Sequence, residues 1–293
     1  MGLRLRFMKA AYSHSARSGG AALFQACSVL FAPASRPELF AKAAASGARL
    51  VCLDLEDAVG PAEKGAARAN AAAALVDFPD FAVRINSIRT REGVADLAGI
   101  AAWEQAPAVV IVPKVRAAAE LEIAAAVLEG RVDAFAPMIE CAHALAHIDD
   151  IANAPACAAL LLGAEDLAAE LNVGRDAKVL DMARGMLVAA CVRAGKAAID
   201  SPYLGINDED GLRAAIAGAR REGFTGKLAI HPRHVPAINA AWEVSARQLD
   251  EARGMLAVFE RAEGAAATHG GVMIDAASVR RAVRLMGQAS DGR

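Results

Sequence analysis

Eight short runs of apolar residues recur along the chain, and each is followed by an alanine-rich stretch long enough to form a helix. Within the runs the apolar positions are continuous rather than alternating, as in strands of a parallel sheet that are covered on both faces. The runs are residues 27–32, 50–55, 82–86, 108–113, 134–140, 158–163, 197–200 and 228–231. Eight strand–helix units in succession predict an α/β fold of the closed (β/α)8 TIM-barrel type.

An open, doubly wound sheet is the alternative architecture, because the last two runs are only four residues long. Such a sheet often binds nucleotides through a glycine-rich turn after a strand. No GxGxxG or GxxxxGK[ST] motif follows any of the runs. The sequence therefore favours the barrel.

The pattern changes after residue 231. Helices are expected at 236–242, 247–261 and 277–286, with a short apolar run at 272–274. These residues are about 55 more than the barrel needs. We expect an N-terminal tail at 1–24, a TIM-barrel catalytic domain at 25–236 and a C-terminal helical extension at 237–293 that packs on a neighbouring subunit.

Composition narrows the possible partners. Alanine supplies about a quarter of the 293 residues, and the formal net charge is −2, so nothing indicates nucleic-acid binding. No apolar stretch reaches the 18 or more residues of a membrane span. The five cysteines lack metal-binding spacing, which indicates reduced thiols in a cytoplasmic protein. His143 and His147 lie four residues apart without the glutamate of an HExxH motif, so we interpret them as helix surface rather than zinc ligands.

The N-terminal 37 residues contain no acidic residue but several arginines and serines. Such a pattern resembles an organellar transit peptide. The simpler interpretation, which we favour, is an N-terminal extension with Met8 as an alternative start.

Ionisable residues follow most of the predicted strands, at the end where barrel enzymes place their active sites. They are Glu56 and Asp57 after the second strand, Arg84 in the third, Lys114 after the fourth, Glu140 after the fifth and Asp166 after the sixth. Carboxylates beside basic groups are typical of a Mg²⁺ site, which uses one or two carboxylates and keeps waters for exchange.

Each of these residues also has a structural explanation. Asp57 and Asp166 precede possible helices and could be N-caps. Arg84 could serve only as the ion-pair partner of Glu140. Lys114 suggests a rival chemistry, since a lysine at a strand end can form a Schiff base in a metal-free aldolase.

Several motifs, taken together, resemble the citrate lyase β-subunit-like group of the HpcH/HpaI aldolase superfamily. The resemblance covers about residues 26–288, in order and with plausible spacing. The motifs are SVLFAP at 28–33 with Arg36 following, LDLEDAV at 53–59, VRIN at 83–86, VPK at 112–114, MIE at 138–140, GAED at 163–166, AID at 198–200, KLAIHP at 227–232 and VMIDAA at 272–277.

The resemblance implies a Mg²⁺-dependent lyase that cleaves or condenses a 3-hydroxyacyl-CoA such as citryl-, malyl- or citramalyl-CoA, with Mn²⁺ as a possible substitute ion. It implies that Glu140 and Asp166 are metal ligands and that Glu56 and Asp57 hold metal-bound waters. Arg84, together with Glu140, is implied to contact the substrate, with Arg84 pairing with its carboxylate or the forming ketone.

The resemblance also implies how coenzyme A and a second subunit take part. Phe31, Arg36 and Lys42 fall where such enzymes hold coenzyme A. Asp275 resembles an acid/base residue that a neighbouring subunit's extension delivers to the active site. From the residues alone, Asp275 could instead be the N-cap of the helix that begins near Ala277. The expected assembly is therefore a homotrimer or a dimer of trimers.

The sequence departs from the family pattern at two positions, one in the segment expected to hold coenzyme A and one beside the expected metal. Ala34 stands where the family commonly has glycine, and Cys141 stands where threonine commonly follows the glutamate. The sequence leaves open a thioesterase acting on malyl-CoA in the same site, and a citrate lyase β subunit acting on a carrier-protein thioester. A non-catalytic barrel is a further alternative, which the intact set of Glu140, Asp166 and Arg84 argues against.

Overall fold

A computed structural model describes Leu23, residues 26–132 and residues 134–290. Eight parallel strands form a closed barrel in chain order, and β8 pairs with β1 to complete it. The strands are β1 Ser28–Pro33, β2 Leu50–Asp54, β3 Ala82–Arg84, β4 Val110–Val112, β5 Phe135–Ile139, β6 Ala159–Leu162, β7 Ala197–Asp200 and β8 Gly226–Ala229. The predicted TIM barrel is confirmed, and the open sheet is excluded.

The eighth strand begins two residues earlier than the apolar run at 228–231 predicts. In its pairing with β1, Lys227 lies opposite Ser28. Because Lys227 is charged, the apolar pattern of the sequence does not mark the start of this strand. Gly226 is required where the barrel closes, because a Cβ there would lie 2.6 Å from the carbonyl oxygen of Ala26.

Helices connect the strands and cover the outside of the barrel. They are α1 Phe40–Ala44, α2 Lys64–Asp77, α3 Arg91–Ala102, α4 Ala118–Val127, α5 Ala142–Ala146, α6 Ile148–Asn153, α7 Ala164–Leu171, α8 Lys178–Ala194, α9 Glu209–Glu222 and α10 Val235–Trp242. Short 3₁₀ helices lie at Pro37–Leu39, Pro61–Glu63 and Pro232–His234. No helix in the described ranges is both long and apolar enough to cross a membrane.

Two apolar clusters hold the barrel together. The larger lies between strands and helices and includes Leu53, Val83 and Leu162. The smaller draws on alternate positions of the strands, among them Cys52 and Ala82, and fills the barrel's interior. Because side chains alternate between the two faces of a strand, every second residue of a strand points inward.

This alternation places polar side chains at the mouth of the barrel, which is the end where the carboxyl ends of the strands meet. Two residues beyond the interior Cys52 is Asp54, and two beyond Ala82 is Arg84. By the same spacing Glu140 follows the interior Met138. The strand periodicity that buries the core thus also positions the ionisable groups.

The residues from Glu243 onward form a second compact unit. It contains α11 Ala246–Arg261 and α12 Ala276–Ser290, together with an antiparallel pair, β9 Ala267–His269 and β10 Val272–Ile274. The two helices pack against each other, and α11 also packs against β9. Ser245 and Gln248 form a reciprocal capping box at the start of α11.

The division of the chain into tail, barrel and extension stays a prediction. Within the described residues, α10 packs against β1 and β8 and groups with the barrel, and the two compact units divide between Trp242 and Glu243. The tail at 1–24 falls outside the described residues except for Leu23, and so does most of the 37-residue segment with the transit-peptide pattern, of which residues 26–37 are described.

Candidate active site

A buried ion pair joins the ends of β2 and β3. Arg84 donates from Nε to Oδ1 of Asp54 over 2.7 Å and from Nη2 to Oδ2 over 2.6 Å. Asp54, which is 1% exposed, also accepts the backbone N–H groups of Glu56 and Ala58. Burial by itself would lower the pKa of Arg84, but the ion pair with Asp54 outweighs it and raises the pKa. Asp54 therefore fixes both the guanidinium and the loop that carries Glu56.

The remaining terminal nitrogen of Arg84 faces the mouth. Its Nη1 lies 3.1 Å from Oε2 of Glu56, and the guanidinium lies over the ring of Phe31 at 4.7 Å. The interpretation of Arg84 as merely the partner of Glu140 does not fit, because its close carboxylate partners are Asp54 and Glu56.

Lys114 connects two parts of the site. Its Nζ lies 2.7 Å from Oε1 of Glu56 and 3.3 Å from Oδ1 of Asp57. Its backbone has a left-handed φ of 53°, uncommon for a residue other than glycine, and its N–H donates to Oε1 of Glu140. Partial burial lowers the pKa of Lys114, but the ion pair with Glu56 raises it overall. A protonated amine is a poor nucleophile, so this environment disfavours a Schiff base.

Glu140 follows β5 and is 2% exposed. Its Oε1 accepts the Lys114 N–H, whereas its Oε2 has no hydrogen-bond partner among the described residues. Gly163, at the end of β6, makes room for this carboxylate: a Cβ there would overlap Oε2 and lie 2.6 Å from the Glu140 Cβ. A buried carboxylate oxygen without a partner is costly unless something binds it.

The charge around Glu140 is consistent with a bound cation. Burial, followed by the negative charges of Glu56 and Asp166, raises the pKa of Glu140 to about 8. Burial also raises the pKa of Glu56, against the opposing effect of Arg84. A divalent cation at Glu140 and Asp166 would relieve this repulsion.

The donor set fits Mg²⁺. Mg²⁺ binds through one or two carboxylates and otherwise keeps water ligands. No group of three or more His, Cys, Asp or Glu suited to a metal occurs within the described part of the chain, so the enclosed ligand set of a structural zinc site is absent there.

The capping explanations for Asp57 and Asp166 do not fit the structure. The N-cap of α7 is Gly163, so Asp166 lies in the first turn, where it is half-buried. Asp57 is exposed, and the 3₁₀ helix that follows it is capped by Gly60. Both carboxylates are thus available at the mouth.

Substituting Gly163 by alanine should displace the Glu140 carboxylate. We expect Gly163→Ala to weaken Mg²⁺ binding at least tenfold while the protein remains folded, because φ of Gly163 is −99° and permits alanine. Titration calorimetry with Mg²⁺ measures the affinity. Gly185→Ala is the matched control, since a Cβ at that helical glycine meets nothing within 4 Å. Unchanged Mg²⁺ affinity in Gly163→Ala would contradict the assignment of Glu140.

Comparison with known proteins identifies the family. Residues 27–232 match the family described as HpcH/HpaI aldolase/citrate lyase. The chain belongs to this family. The matched segment spans all eight barrel strands and every mouth residue described here.

Individual relatives of this HpcH/HpaI chain match over most of its length. The L-malyl-CoA/beta-methylmalyl-CoA lyase of Cereibacter sphaeroides is 34% identical over 298 residues, covering 89% of this chain and 93% of the relative. A (3S)-malyl-CoA thioesterase of the same species is 34% identical over 242 residues, covering 80% and 84%. The crystal structure of CitE from Mycobacterium tuberculosis in complex with magnesium, acetoacetate and coenzyme A is 33% identical. The match covers 90% of this chain and 97% of the CitE chain, with a TM-score of 0.77.

The residues expected to hold coenzyme A in this HpcH/HpaI barrel lie along β1 and the segment after it. Phe31 is half-buried on β1, and its ring contacts the guanidinium of Arg84. Arg36 is exposed and pairs with Glu38 over 2.5 Å, and Lys42 is exposed on α1. The structure therefore brings Phe31 to the mouth, and Arg36 and Lys42 to the surface that follows it in the chain.

Asp275 lies in the second compact unit, immediately before α12. Its Oδ1 accepts the backbone N–H groups of Ala277 and Ser278 and the hydroxyl of Ser278, at 2.9–3.0 Å. The bonds from Ser278 are the main cause that lowers the pKa of Asp275. In the chain on its own Asp275 therefore caps α12, and its role as an acid in a neighbouring subunit's active site stays a prediction.

Sequence reasoning missed the roles of Asp54 and Gly163. A signal for Asp54 was present in the sequence, because Asp54 lies two residues after the inward-facing Cys52 and therefore faces inward as well. In the β2–β3 pairing Asp54 lies opposite Arg84. Gly163 carries no such signal, because its importance comes from the Glu140 side chain on the neighbouring strand.

Proposed function

We propose that this protein is a Mg²⁺-dependent carbon–carbon lyase that cleaves a 3-hydroxyacyl-CoA into an acyl-CoA and an oxoacid, or condenses the two. The observation that carries the proposal is the buried Glu140 carboxylate with an unpartnered oxygen beside Arg84. A relative named as a malyl-CoA lyase and the magnesium and coenzyme A in a related crystal structure support it.

Glu140 and Asp166 would hold the metal, with Glu56 and Asp57 beside them. When bound, Mg²⁺ supplies a Lewis acid that polarises the oxygen becoming a ketone. Lys114 keeps Glu56 and Asp57 in place through its ammonium group and Glu140 through its backbone N–H. One residue thereby connects three of the carboxylates at the mouth.

Arg84 would contact the substrate through the guanidinium edge that Asp54 leaves free. Its positive charge is fixed in a nearly dry environment, where it stabilises developing negative charge more strongly than in water. Phe31 supports the guanidinium from one side. In the cleavage direction a base takes the proton of the 3-hydroxyl, which becomes the carbonyl of the oxoacid. The carbon–carbon bond breaks, and its electron pair passes to the thioester enolate. A general acid then protonates the enolate carbon.

We propose Asp275 of a neighbouring subunit as that acid, in a homotrimer or a dimer of trimers. Phe31, Arg36 and Lys42 are the proposed contacts of coenzyme A. The proposed location is the cytoplasm, which agrees with five cysteines that form no disulfide.

The reaction is tested by identifying products. Purified protein with Mg²⁺ is incubated with malyl-, citramalyl- and citryl-CoA, and the products are identified by mass spectrometry. Release of an oxoacid and a shorter acyl-CoA supports the lyase, and cleavage that persists after EDTA treatment contradicts the metal role.

A thioesterase is the second candidate, because a relative of similar identity is named as a malyl-CoA thioesterase. In that reaction water attacks the thioester carbonyl, and the products are free CoA and the hydroxy acid. Free CoA together with malate, and no glyoxylate, would favour it. A carrier-protein thioester as substrate is tested in the same assay by the lack of reaction with every CoA ester.

Asp275→Asn should separate catalysis from helix capping. Asparagine is as good an N-cap as aspartate, so we expect little change in stability. Loss of the acid should lower kcat about 10²-fold or more. Steady-state kinetics and thermal unfolding measure the two effects, with Asp250→Asn on α11 as the control.

Mixing two impaired variants tests whether Asp275 acts across subunits. Co-refolded Glu140→Gln and Asp275→Asn chains should regain part of the activity, because some sites then combine an intact Glu140 with an intact Asp275. Absence of any recovery in mixed oligomers would contradict the delivery of Asp275 by a neighbour.

A further inference from the structure

A lysine ammonium group binds the backbone of the loop that carries Glu56. Lys64 is half-buried, and its Nζ donates to the carbonyl oxygens of Leu55 and Glu56 over 2.7 Å each. It also donates to Oδ1 of Asn86 over 2.7 Å. An ammonium group has three N–H donors, and these three oxygens use all of them. All three acceptors are neutral, so Lys64 acts on the loop itself rather than as the partner of a carboxylate.

The place of Lys64 in its helix does not account for a lysine. Lys64 is the first residue of α2, where the helix dipole disfavours a positive charge. The N-cap residue, Glu63, makes no side-chain capping bond that would offset this charge. The helix therefore gains nothing from the ammonium group at this position, and the favourable contacts of Lys64 are those with the loop after β2.

Asn86 connects Lys64 to a buried carboxylate. Its Nδ2 donates to the carbonyl oxygen of Leu55 over 2.9 Å and to Oδ2 of Asp96 over 2.7 Å. Its backbone N–H donates to the same Oδ2 over 2.7 Å. Asp96, on α3, is 0% exposed, and its Oδ1 accepts Nε of Arg68 over 2.6 Å. A buried polar network whose members are all bonded is rigid, so it fixes the Asn86 oxygen that Lys64 binds.

The backbone of Glu56 is thus held at both of its polar groups. Asp54 accepts its N–H over 2.9 Å, and Lys64 donates to its carbonyl oxygen over 2.7 Å. The Glu56 side chain is 5% exposed, with Nζ of Lys114 2.7 Å away and Nη1 of Arg84 3.1 Å away. Because a side chain moves with its backbone, these two backbone bonds decide where the carboxylate lies at the mouth.

We infer that Lys64 is a positioning residue for the proposed lyase reaction and that it acts through Glu56. Its three donors are all used within the fold, so none is left for a substrate. Without the ammonium group the loop loses its charged donor and gains freedom to move. A displacement of about 1 Å at a reacting site can lower a rate about 10²-fold. The inference rests on the proposed function and adds a residue that contacts neither the proposed metal nor the substrate.

Lys64→Met tests the role, because it keeps the length of the side chain and removes the ammonium group. We expect kcat to fall about 30-fold and KM for the CoA thioester to change less than about twofold, since the proposed contacts of coenzyme A do not include this loop. Arg184→Met is the matched control, because it also removes a partly buried cation with two carboxylate partners, on α8. It should lower the melting temperature as well, but leave kcat within about twofold.

A double-mutant cycle separates positioning from a general loss of stability. If Lys64 acts through Glu56, its substitution has no further target once the Glu56 carboxylate has been removed. Lys64→Met should therefore lower kcat less than about twofold in the Glu56→Gln background, although it lowers the melting temperature in both backgrounds. An equal fold-loss of kcat in both backgrounds would overturn the inference. Lys64→Gln, which keeps an amide donor, provides the same comparison if Lys64→Met fails to fold.

Hydrogen exchange tests the inference without catalysis. The backbone N–H groups of Glu56 and Ala58 are bonded to Asp54 within the loop. We expect them to exchange about tenfold faster in Lys64→Met than in wild type, and at the wild-type rate in Arg184→Met. If wild type cleaves no thioester, the proposed function fails, but faster exchange in this loop still supports the positioning role. Unchanged exchange in Lys64→Met contradicts that role, whether or not the protein is a lyase.

Discussion

Glu140→Gln should lower kcat/KM about 10³-fold and at the same time stabilise the metal-free protein. The loss follows from removing a metal ligand, since a Lewis acid contributes several kcal/mol to transition-state stabilisation. The gain follows from the pKa of Glu140, which the fold raises from 4.5 to about 8. The fold thus favours the protonated form, and a neutral glutamine avoids the cost of ionisation.

The stability gain should depend on pH in a defined direction. A carboxyl group whose pKa is raised in the folded state destabilises the protein increasingly as pH rises from about 4.5 to about 8. In EDTA, Glu140→Gln and wild type should therefore melt alike below pH 4.5. At pH 7 the variant should be more stable by up to roughly 3 kcal/mol.

Added Mg²⁺ should reverse the order, because only wild type gains binding energy. Thermal unfolding over a pH series, with and without Mg²⁺, measures all three effects. Glu165→Gln is the matched control, since Glu165 belongs to the same GAED motif but is only half-buried and pairs with Arg175. Equal stabilisation of wild type and Glu140→Gln by Mg²⁺ would remove Glu140 from the metal site.

Asp54→Asn should cost both stability and catalysis. Breaking a buried ion pair by removing one partner destabilises a protein by about 3–5 kcal/mol. Freed from its two bonds to Asp54, Arg84 should also lose its orientation, and we expect kcat to fall about 10²-fold. KM should change less, because the contacts proposed for coenzyme A lie elsewhere.

Asp200→Asn is the control that separates the positioning of Arg84 by Asp54 from the stability of the protein. Asp200 is also 1% exposed and pairs with Lys227 and with Arg184 on α8, on the helix-facing side of the barrel. Its loss should lower the melting temperature by a similar amount but leave kcat within about twofold. If both variants lose kcat in proportion to stability, then Asp54 has a structural role alone.

Most of the barrel could be predicted because its signals are local. Apolar runs mark buried strands wherever they occur, and all eight were identified from them. The start of β8 was misplaced because Lys227, although 3% exposed, is charged and pairs with Asp200 rather than with solvent. A buried charge looks polar in the sequence, and only its partner on another strand explains it.

The candidate site shows the same limit. Glu140, Arg84 and Asp166 could be identified from the sequence because they lie at or shortly after the ends of strands, and position along a strand is a local property. The Asp54–Arg84 pair, the left-handed turn at Lys114 and the space at Gly163 arise between different strands. Such relations depend on barrel closure, so no window of the sequence contains them.

The closure of the barrel between β1 and β8 also affects how the protein is made. Ser28 pairs with Lys227, about 200 residues later, so β1 has no partner on that edge until nearly the whole barrel has been synthesised. Non-local pairing of this kind is slow, and an open strand edge is a template for aggregation. We therefore expect the nascent chain to depend on chaperones until β8 has left the ribosome, and truncations before Gly226 to be insoluble.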